Sequence, residues 1–226
     1  MKITVIMPCL NEAGIVEQSL SRVQGLRARG HEVILVDGGS SDQTIELARP
    51  LVDRIITTPR GRAVQMNAGA SVADGDVLLF LHADTRLPAA ADLLLTTALA
   101  NTGRRWGRFD VRLSGSRPAL RVVGFFMNWR SRLTGIATGD QAMFMTRKLF
   151  DAAGGFPDIP LMEDITLSRT LKRHSAPALI HTKVITSSRR WEQRGVLRTI
   201  LMMWRLRLAY FFGASPQQLA RLYQRP

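Results

Sequence analysis

The sequence predicts an α/β fold in which a mostly parallel, Rossmann-like sheet carries helices on both faces. The first 100 residues alternate between short apolar runs and stretches with helical spacing, as expected for consecutive strand–helix units. Glycine and polar residues follow several of the apolar runs, which is typical of strands that end at a ligand-binding edge. The 226 residues are 46% hydrophobic, which is enough for a substantial core.

Four strands of the first half are predicted from apolar runs that are too short for helices, at residues 3–8, 32–39, 53–59 and 76–82. Helical patterns follow them at residues 12–30, 41–50, 61–73 and 87–101. Gly30 is the expected stop of the first helix, and Ser41 or Asp42 caps the second. Pro88 is expected in the first turn of the fourth helix.

The second half of the chain alternates less regularly. Strands are predicted at residues 107–115, 141–147 and 177–187, and helices at residues 118–135, 148–156, 163–174 and 195–213. No repeat, low-complexity tract or clear linker interrupts the sequence. We therefore predict one domain over residues 1–190 and a C-terminal helical appendage over residues 191–226.

Positive charge is concentrated in the second half. Residues 1–100 carry 9 Lys and Arg against 11 Asp and Glu, whereas residues 101–226 carry 22 against 7. Such a basic half either faces an anionic partner or forms a solvated surface. The candidate partners are a nucleoside diphosphate, an anionic lipid surface and a nucleic acid.

The helix predicted at residues 195–213 is very apolar, but three arginines make it a poor bilayer span. It either packs on the domain as an amphipathic helix or lies on an anionic membrane surface. The first residues, MKITVIMPCL, are a poor secretory signal, and the single Cys9 excludes an internal disulfide. We therefore expect a cytoplasmic protein with a buried, inert thiol, peripheral at the inner membrane face if the helix contacts lipid.

Polar side chains follow the first, second and fourth predicted strands. Asn11 and Glu12 come after the first, Asp37 ends the second, and His82 and Asp84 end the fourth in the segment LLFLHADT. Because the carboxyl ends of parallel strands meet at one edge, these groups are predicted to form one acidic crevice. Taken singly, each could instead only cap the helix that follows it.

The phosphate-binding loops of two common nucleotide folds are absent. No G-x-G-x-x-G follows the first strand, and no G-x-x-x-x-G-K-[ST] occurs anywhere. An acidic crevice that binds a diphosphate without such a loop points to a bridging divalent cation, Mn²⁺ or Mg²⁺, on hard oxygen ligands.

Six segments, in order, resemble glycosyltransferase family 2, whose members are inverting enzymes of the GT-A fold with nucleotide-sugar donors. They are VIMPCLNE (5–12), ILVDGGSSDQT (34–44), GRAVQMNAGA (61–70), LLFLHADT (78–85), GDQAMFMTRKLFDAAGGFPD (139–158) and LMEDITLSRTL (161–171). The HADT form and SSRRWEQRG (187–195) resemble a bacterial subgroup associated with radical-SAM and selenium-domain proteins. The resemblance implies a nucleotide-binding half at 1–100 and an acceptor half at 101–190.

The resemblance also assigns roles to matching residues. Nucleotide binding falls to Pro8, Asn11, Glu12, Asp37, Arg62, His82 and Asp84. Within that set, Asp37 matches the carboxylate that binds the base or ribose, usually of uridine, and Asp84 matches the metal-binding carboxylate. His82 stands where the family has an aspartate, and would bind ribose, phosphate or metal, or orient Asp84.

The remaining assignments concern the sugar and the acceptor. Gly139, Asp140 and Gln141 match a loop near the donor sugar and acceptor, and Asp164, in the pair Glu163-Asp164, matches the general base. The alternative for this pair is a favourable charge at a helix start.

The segment SSRRWEQRG adds a further candidate contact. Arg190 and Trp191 would bind a sugar ring or phosphate, or Trp191 would only anchor the last helix to the domain.

The predicted function is inverting transfer of a sugar from a UDP-linked donor to an acceptor hydroxyl. Asp164 would take the hydroxyl proton, while the cation, Arg62 and Arg189 or Arg190 stabilise the leaving diphosphate. The acceptor is a small molecule or lipid-linked. One alternative is a nucleotidyltransferase, but the glycine-rich basic loop typical of that class is absent here. Another is a protein that binds an anionic surface or nucleic acid. The ordered nucleotide-pocket segments argue against it, so no nucleic-acid partner is expected.

Overall fold

The computed structural model describes residues 1–224, and within them one eight-stranded sheet forms the centre of the molecule. The strands are β1 (Ile3–Cys9), β2 (Glu32–Asp37), β3 (Arg54–Thr57), β4 (Val77–Phe80), β5 (Thr85–Arg86), β6 (Trp106–Leu113), β7 (Phe144–Thr146) and β8 (Ala178–Thr186). Their order is β3-β2-β1-β4-β7-β6-β8-β5. Strands β1 to β4 pair in parallel, as do β6 and β8, whereas β7 and β5 run antiparallel to their neighbours. The predicted α/β fold with a mostly parallel sheet is confirmed.

Helices cover both faces of this sheet. They are α1 (Val16–Ser21), α2 (Gln24–Ala28), α3 (Thr44–Ala48), α4 (Arg62–Val72), α5 (Ala91–Thr102), α6 (Pro118–Thr134), α7 (Arg147–Ala152), α8 (Glu163–His174), α9 (Arg189–Arg194), α10 (Val196–Phe211) and α11 (Pro216–Gln224). Side chains of β1 alternate between the two faces. Val5 and Met7 join a core with α1 and α5, whereas Ile6 joins a second core with α4, α7 and α8.

Some predicted element bounds are wrong. The helix predicted at 12–30 is two helices, α1 and α2, because the Gln24 side-chain amide donates to the Leu20 carbonyl at 2.9 Å and competes with the helical ladder. Pro88 lies before α5 rather than in its first turn, where its carbonyl closes a tight turn with the amide of Ala91. The strand predicted at 141–147 is shorter, since residues Gly139–Gln141 form a 3₁₀ turn before β7.

Three elements were not predicted: β5, α9 and α11. Strand β5 has only two residues, which is too short to show a periodic pattern in the sequence, and it pairs with β8 at the sheet edge. Helix α11 packs Leu219 against Leu206 of α10. The final residues of the predicted appendage, 225 and 226, lie outside the described residues.

The C-terminal helices pack on the domain at two places. At one end, Trp191 and Val196 lie against Leu120 of α6. At the other, α10 packs on the start of α8, where the hydroxyls of Tyr210 and Thr166 are 2.5 Å apart. Within residues 1–224, no helix combines the length and apolar character needed to cross a membrane.

A buried ion network anchors β6 to α6. Arg108 and Asp110 are almost fully buried, and the Asp110 carboxylate accepts hydrogen bonds from Arg108 and from Arg132 of α6. Burial lowers the pKa of Arg108, and the hydrogen bond and charge of Asp110 oppose that shift. The network therefore depends on Asp110 to neutralise a guanidinium that water does not reach.

Replacing Asp110 by asparagine is expected to destabilise the fold strongly. The change keeps the side-chain shape but leaves Arg108 buried without a counter-ion, which costs about 3–5 kcal/mol. Urea unfolding of Asp110→Asn measures the loss, with Asp151→Asn as the control because Asp151 is exposed on α7. Equal midpoints for the two variants would show that the Arg108 charge needs no partner.

Candidate active site

The carboxyl ends of β1, β2 and β4 meet at one edge of the sheet, as the sequence predicts. In the ladder, Cys9 at the end of β1 lies opposite Asp37 at the end of β2. A cavity of about 50 Å³ opens where these ends meet, lined by Pro8, Glu12, Arg62, His82, Ala83 and Asp84. Five of these six residues are among the predicted nucleotide-binding residues, so the structure brings most of that set together.

A larger depression, of about 360 Å³, lies between α5 and β8. Its lining is mainly apolar, including Leu93, Leu94 and Ile180, and His181 is its only titratable side chain. The smaller cavity at the strand ends, with its ionisable lining, is therefore the candidate active site.

Gln65 holds the ends of β1 and β2 in place, and sequence reasoning missed it. Its buried side-chain amide donates to the carbonyls of Cys9 and Val36, both at 2.8 Å. A Cβ atom at Gly38 would lie only 3.1 Å from this amide, so the glycine allows the close approach. The sequence signal that could have revealed it is a glutamine set among the apolar residues Ala63, Val64 and Met66 of the predicted helix.

Asp37 and Asn11 lie at the same edge but outside the lining of the cavity. The Asp37 carboxylate is fully buried and accepts hydrogen bonds from the amides of Gly39 and Ser40, both at 2.8 Å. Asn11, at φ 53°, accepts a hydrogen bond from the Ser41 amide at 2.9 Å. Both side chains shape the loop after β2, and their contact with a nucleoside stays a prediction.

Glu12 and Arg189 face each other across the crevice. The Glu12 carboxylate and the Arg189 guanidinium are 4.0 Å apart. Partial burial raises the pKa of Glu12, the positive charge of Arg189 opposes this, and the nearby Asp84 adds to the rise. Helix α9 thus brings a cation from the C-terminal part of the chain to the strand ends of the first half.

A chain of contacts joins the end of β4 to the start of α8. The His82 Nδ1 lies 3.4 Å from the Asp140 carboxylate. The amide of the next residue back, Gly139, donates to the Asp164 carboxylate at 3.0 Å. Asp164 also accepts a hydrogen bond from the Ile165 amide at 2.7 Å. Asp84, two residues after His82, and Asp164 therefore lie at the same edge of the sheet.

Charges in this chain of contacts shift two carboxyl groups in opposite directions. Burial raises the pKa of Asp140, but the hydrogen bond from His82 and the charge of Arg62 outweigh it, so the net shift is downward. Burial and the adjacent Asp164 charge raise the pKa of Glu163. Asp140 is thus held as an anion beside the crevice, while Glu163 is biased toward its neutral form.

The glycine pair of the segment GGF fixes the approach to α8. The Asn67 side chain of α4 makes two hydrogen bonds with the backbone of Phe156, at 2.8 and 2.9 Å. Gly155 has a φ of 72°, and a Cβ atom added there would lie only 2.8 Å from the Asn67 side-chain oxygen, so a larger residue would crowd this contact. Phe156 also packs edge-on against Phe80 of β4. Two of the resembling segments, 61–70 and 139–158, are therefore held together by these contacts.

Gln141 is fully buried and does not face the cavity. Its side-chain oxygen accepts a hydrogen bond from the Thr138 amide at 3.2 Å and closes the turn that carries Gly139 and Asp140. The structure therefore gives Gln141 a positioning role, and its predicted contact with sugar or acceptor stays a prediction.

Arg190 and Trp191 point to different places. Burial and the charge of Arg62 lower the pKa of Arg190, and the charge of Asp140 opposes them, so this guanidinium belongs to the site's electrostatics. Trp191 is half-buried in the cluster with Leu120 of α6. This packing favours the anchoring interpretation of Trp191.

Gly139 is expected to tolerate no side chain. A Cβ atom there would lie 2.4 Å from the Cε1 and Nε2 atoms of His82. The substitution Gly139→Ala would push His82 from Asp140 and shift the amide that holds Asp164, which should lower kcat/KM by roughly 10²-fold. Gly14→Ala is the matched control, since nothing lies within 4 Å of its built Cβ. Steady-state kinetics of both variants checks this, and unchanged turnover in Gly139→Ala would contradict the packing.

Sequence comparison connects the chain with known transferases. A model of Glycosyl transferase family 2 matches residues 4–153. The chain is similar to a PGL/p-HBAD biosynthesis glycosyltransferase of Mycobacterium bovis (strain BCG / Pasteur 1173P2), with 35% identity over 102 residues, 42% of this chain and 40% of that protein. It is 34% identical over 89 residues to the poly-beta-1,6-N-acetyl-D-glucosamine synthase of Staphylococcus aureus (strain MSSA476), 37% of this chain and 22% of that protein. The matched part is less than half of either relative.

Solved structures share the fold at lower identity. TarS 1-349 of S. aureus in complex with UDP-GlcNAc matches with TM-score 0.68 and 16% identity over 83% of this chain and 58% of that chain. A mannosyltransferase from Pyrobaculum calidifontis in complex with GDP-Man and Mn²⁺ matches with TM-score 0.64 and 24% identity over 92% and 61%. Glucosyl-3-phosphoglycerate synthase from Mycobacterium tuberculosis, in complex with Mn²⁺ and UDP among others, matches with TM-score 0.58 and 18% identity over 82% and 70%. These matches confirm the predicted GT-A-type fold.

Proposed function

The chain belongs to glycosyltransferase family 2, and we propose that it transfers a sugar from a nucleotide-diphosphate sugar to an acceptor hydroxyl with inversion. One observation carries the proposal. Asp84 and Asp164 come from opposite halves of the chain, yet contacts through His82, Asp140 and Gly139 place them at one edge of the sheet. A single displacement needs a base for the incoming hydroxyl, which Asp164 would supply, and positive charge for the departing diphosphate, which Asp84 would help to supply by holding a cation.

The donor side of the proposed site is rich in cations. Arg62 lines the cavity with Asp84, and Arg189 and Arg190 of α9 act electrostatically on Glu12, Asp84 and Asp140. We place the diphosphate here, because these guanidiniums would stabilise the negative charge that develops on the leaving group.

A divalent cation fits this arrangement only together with the donor. Among residues 1–224, no group of three or more His, Cys, Asp or Glu side chains could hold a metal ion. Mg²⁺ sites of this kind combine one or two carboxylates with substrate phosphates and water. Asp84 can supply the single carboxylate that such a site needs. When bound, the cation supplies charge stabilisation to the diphosphate. Complexes of structural neighbours with Mn²⁺ support this proposal.

The acceptor side centres on Asp164. Two backbone amides hold its carboxylate in a fixed orientation at the start of α8. In the proposed step this carboxylate takes the proton of the acceptor hydroxyl as the oxygen attacks the anomeric carbon. The glycosidic bond to the diphosphate breaks on the opposite side of the sugar, so the anomeric centre inverts. Glu163, with its raised pKa, would support the negative charge of its neighbour without competing for the proton.

We propose a UDP-linked donor, and a turnover assay tests both the activity and the base. The neighbouring structures hold UDP-GlcNAc, UDP or GDP-Man, so UDP- and GDP-sugars belong in one panel. With Mn²⁺ present, release of nucleoside diphosphate is expected from a UDP-sugar, and NMR of the product should show an inverted anomeric configuration. Absence of release from every donor, with and without acceptor alcohols, would contradict the proposed activity.

We also propose that the protein sits at the cytoplasmic face of a membrane through residues 195–213. Helix α10 exposes an apolar stripe that we name the outer stripe: Leu197, Leu201, Trp204, Leu208 and Phe211. Helix α6, which packs beside α10, exposes Phe125, Phe126 and Trp129. Exposed arginines such as Arg121 and Arg205 flank these side chains, which suits an anionic lipid surface.

Binding to lipid vesicles is the expected consequence. The protein should sediment with vesicles containing phosphatidylglycerol and much less with phosphatidylcholine alone. The double change Trp204→Ser and Leu208→Ser should weaken the binding roughly tenfold or more, because two exposed apolar side chains are lost. Leu93→Ser is the control, since Leu93 is equally exposed on α5. Equal sedimentation of all three proteins would refute the contact.

A further inference from the structure

Two arginines near Asp164 lack partners for their positive charge. Arg130 lies on α6, and its Nε and Nη2 atoms are buried with no hydrogen-bond partner among the described residues. Only its Nη1 donates, to the carbonyl of Ile136 at 3.5 Å. Burial and the charge of Arg207 lower the pKa of Arg130, the charge of Asp164 opposes them, and the net result is a pKa of about 10.

Arg207 approaches from α10. Within residues 1–224 it makes no hydrogen bond and no ion pair within 4 Å. Burial lowers its pKa, and the charges of Asp164 and Asp140 oppose that shift. Two half-buried guanidiniums thus lie near enough to repel each other, although burying like charges together is unfavourable.

No carboxylate of the described residues forms an ion pair with Arg130 or Arg207. The two oxygens of Asp164 instead accept hydrogen bonds from the backbone amides of Gly139 and Ile165. The contrast with Arg108 is instructive, since that buried guanidinium is paired directly with Asp110. Arg130 and Arg207 are therefore arranged for an anion that the chain itself does not supply.

We propose that Arg130 and Arg207 form an anion subsite that binds a phosphate or carboxylate group of the acceptor. The proposal rests on the proposed function, because it takes Asp164 as the acceptor's base. The subsite belongs to the acceptor side of the proposed site, because the charge of Asp164 acts on both guanidiniums and the charge of Asp140 also acts on Arg207.

The chemistry of the acceptor follows from this subsite. A planar guanidinium binds phosphate or carboxylate with paired hydrogen bonds, so two of them select an acceptor with a compact anionic group near its reacting hydroxyl. The anion can come from a soluble phosphorylated alcohol or from the head group of a lipid phosphate. An anion bound here would account for the missing partners of both arginines. Because the outer stripe of α10 is proposed to contact lipid, the lipid phosphate is tested beside the soluble one.

Inorganic phosphate is the first probe, used with the donor site saturated by UDP and Mn²⁺. In wild type, phosphate should raise the unfolding temperature in a saturable way. In Arg207→Gln its apparent affinity should fall roughly tenfold, whereas Arg173→Gln, which removes an exposed arginine from the last turn of α8, should match wild type. Equal phosphate affinity in wild type and Arg207→Gln would overturn the subsite, as would an adventitious response that Arg173→Gln also loses.

A second readout excludes a purely structural role. Without phosphate, Arg207→Gln and Arg130→Met should unfold at the same or a higher urea concentration than wild type, because each removes an unpaired, partly buried charge. A clear loss of stability in both variants would show that the arginines serve the fold. Failure of the proposed function is visible separately, as the absence of any UDP effect on wild type.

The source of the anion is decided by competition. Glycerol 3-phosphate and lysophosphatidic acid, which share one phosphomonoester, are compared for their ability to displace the phosphate effect. Stronger displacement by the first identifies a soluble acceptor class, and stronger displacement by the second identifies an amphiphilic one. Displacement by neither would contradict a phosphate-specific subsite.

Discussion

Replacing Asp164 by asparagine should abolish sugar transfer and leave nucleotide binding intact. Asparagine keeps the shape and can still accept the amide of Gly139, but it cannot take a proton from the acceptor hydroxyl. Loss of a general base costs roughly 10²–10⁴-fold in kcat. The turnover number should therefore fall by that factor while the Kd for UDP with Mn²⁺ stays within about twofold of wild type.

Two comparisons sharpen this expectation. Asp158→Asn removes an exposed carboxylate from the loop before α8 and should leave the kinetics unchanged. Glu163→Gln should lower turnover less than Asp164→Asn, because Glu163 is buried and biased toward its neutral form. If Asp164→Asn kept full turnover, or if Glu163→Gln lost more, the base would be assigned to the wrong residue.

Replacing Asp84 by asparagine should instead remove the metal-dependent part of nucleotide binding. Asp84 lines the cavity at the end of β4 and is the carboxylate that a bridging cation would use. Without it, Mn²⁺ should no longer improve UDP binding, which we expect to lower affinity in the presence of Mn²⁺ by roughly 10²-fold. Isothermal titration of UDP with and without Mn²⁺ measures both values.

The controls for Asp84 separate a metal effect from a loss of fold. Glu46→Gln removes an exposed carboxylate on α3 and should bind UDP as wild type does. Binding of UDP to Asp84→Asn without Mn²⁺ should equal that of wild type without Mn²⁺. If Mn²⁺ still raised the affinity of Asp84→Asn for UDP, the cation would be held by groups other than Asp84.

Much of the fold follows from the sequence pattern, because the continuous apolar run of β1 and the apolar faces of α4 and α5 arise from a sheet that is covered on both sides. What the sequence could not give depends on tertiary contacts. The break between α1 and α2 comes from a side-chain amide that also reaches Leu51, far away in the chain. Strand β5 exists only because β8 lies beside it.

Part of the candidate site could likewise be predicted from the sequence, and part depends on tertiary contacts. Strand ends predicted the convergence of Glu12, His82 and Asp84, since parallel topology alone brings them to one edge. The distant partner of Asp164 and the role of Gln65 required the structure, because each depends on a hydrogen bond between a side chain and the backbone of a distant segment. The burial of Gln141 could not be predicted from the sequence, because the turn at residues Gly139–Gln141 imposes it, and its predicted place near sugar and acceptor stays a prediction.

The most direct measurement is a thermal-shift panel of nucleoside diphosphates with the wild-type chain, each with and without Mn²⁺. In the presence of Mn²⁺, UDP at about 100 times its Kd should raise the unfolding temperature by roughly 5–10 °C, and the same UDP concentration without Mn²⁺ should raise it much less. GDP, CDP and dTDP serve as competitors for the same crevice. No stabilisation by any diphosphate in the presence of Mn²⁺ would contradict a donor site at the ends of β1, β2 and β4.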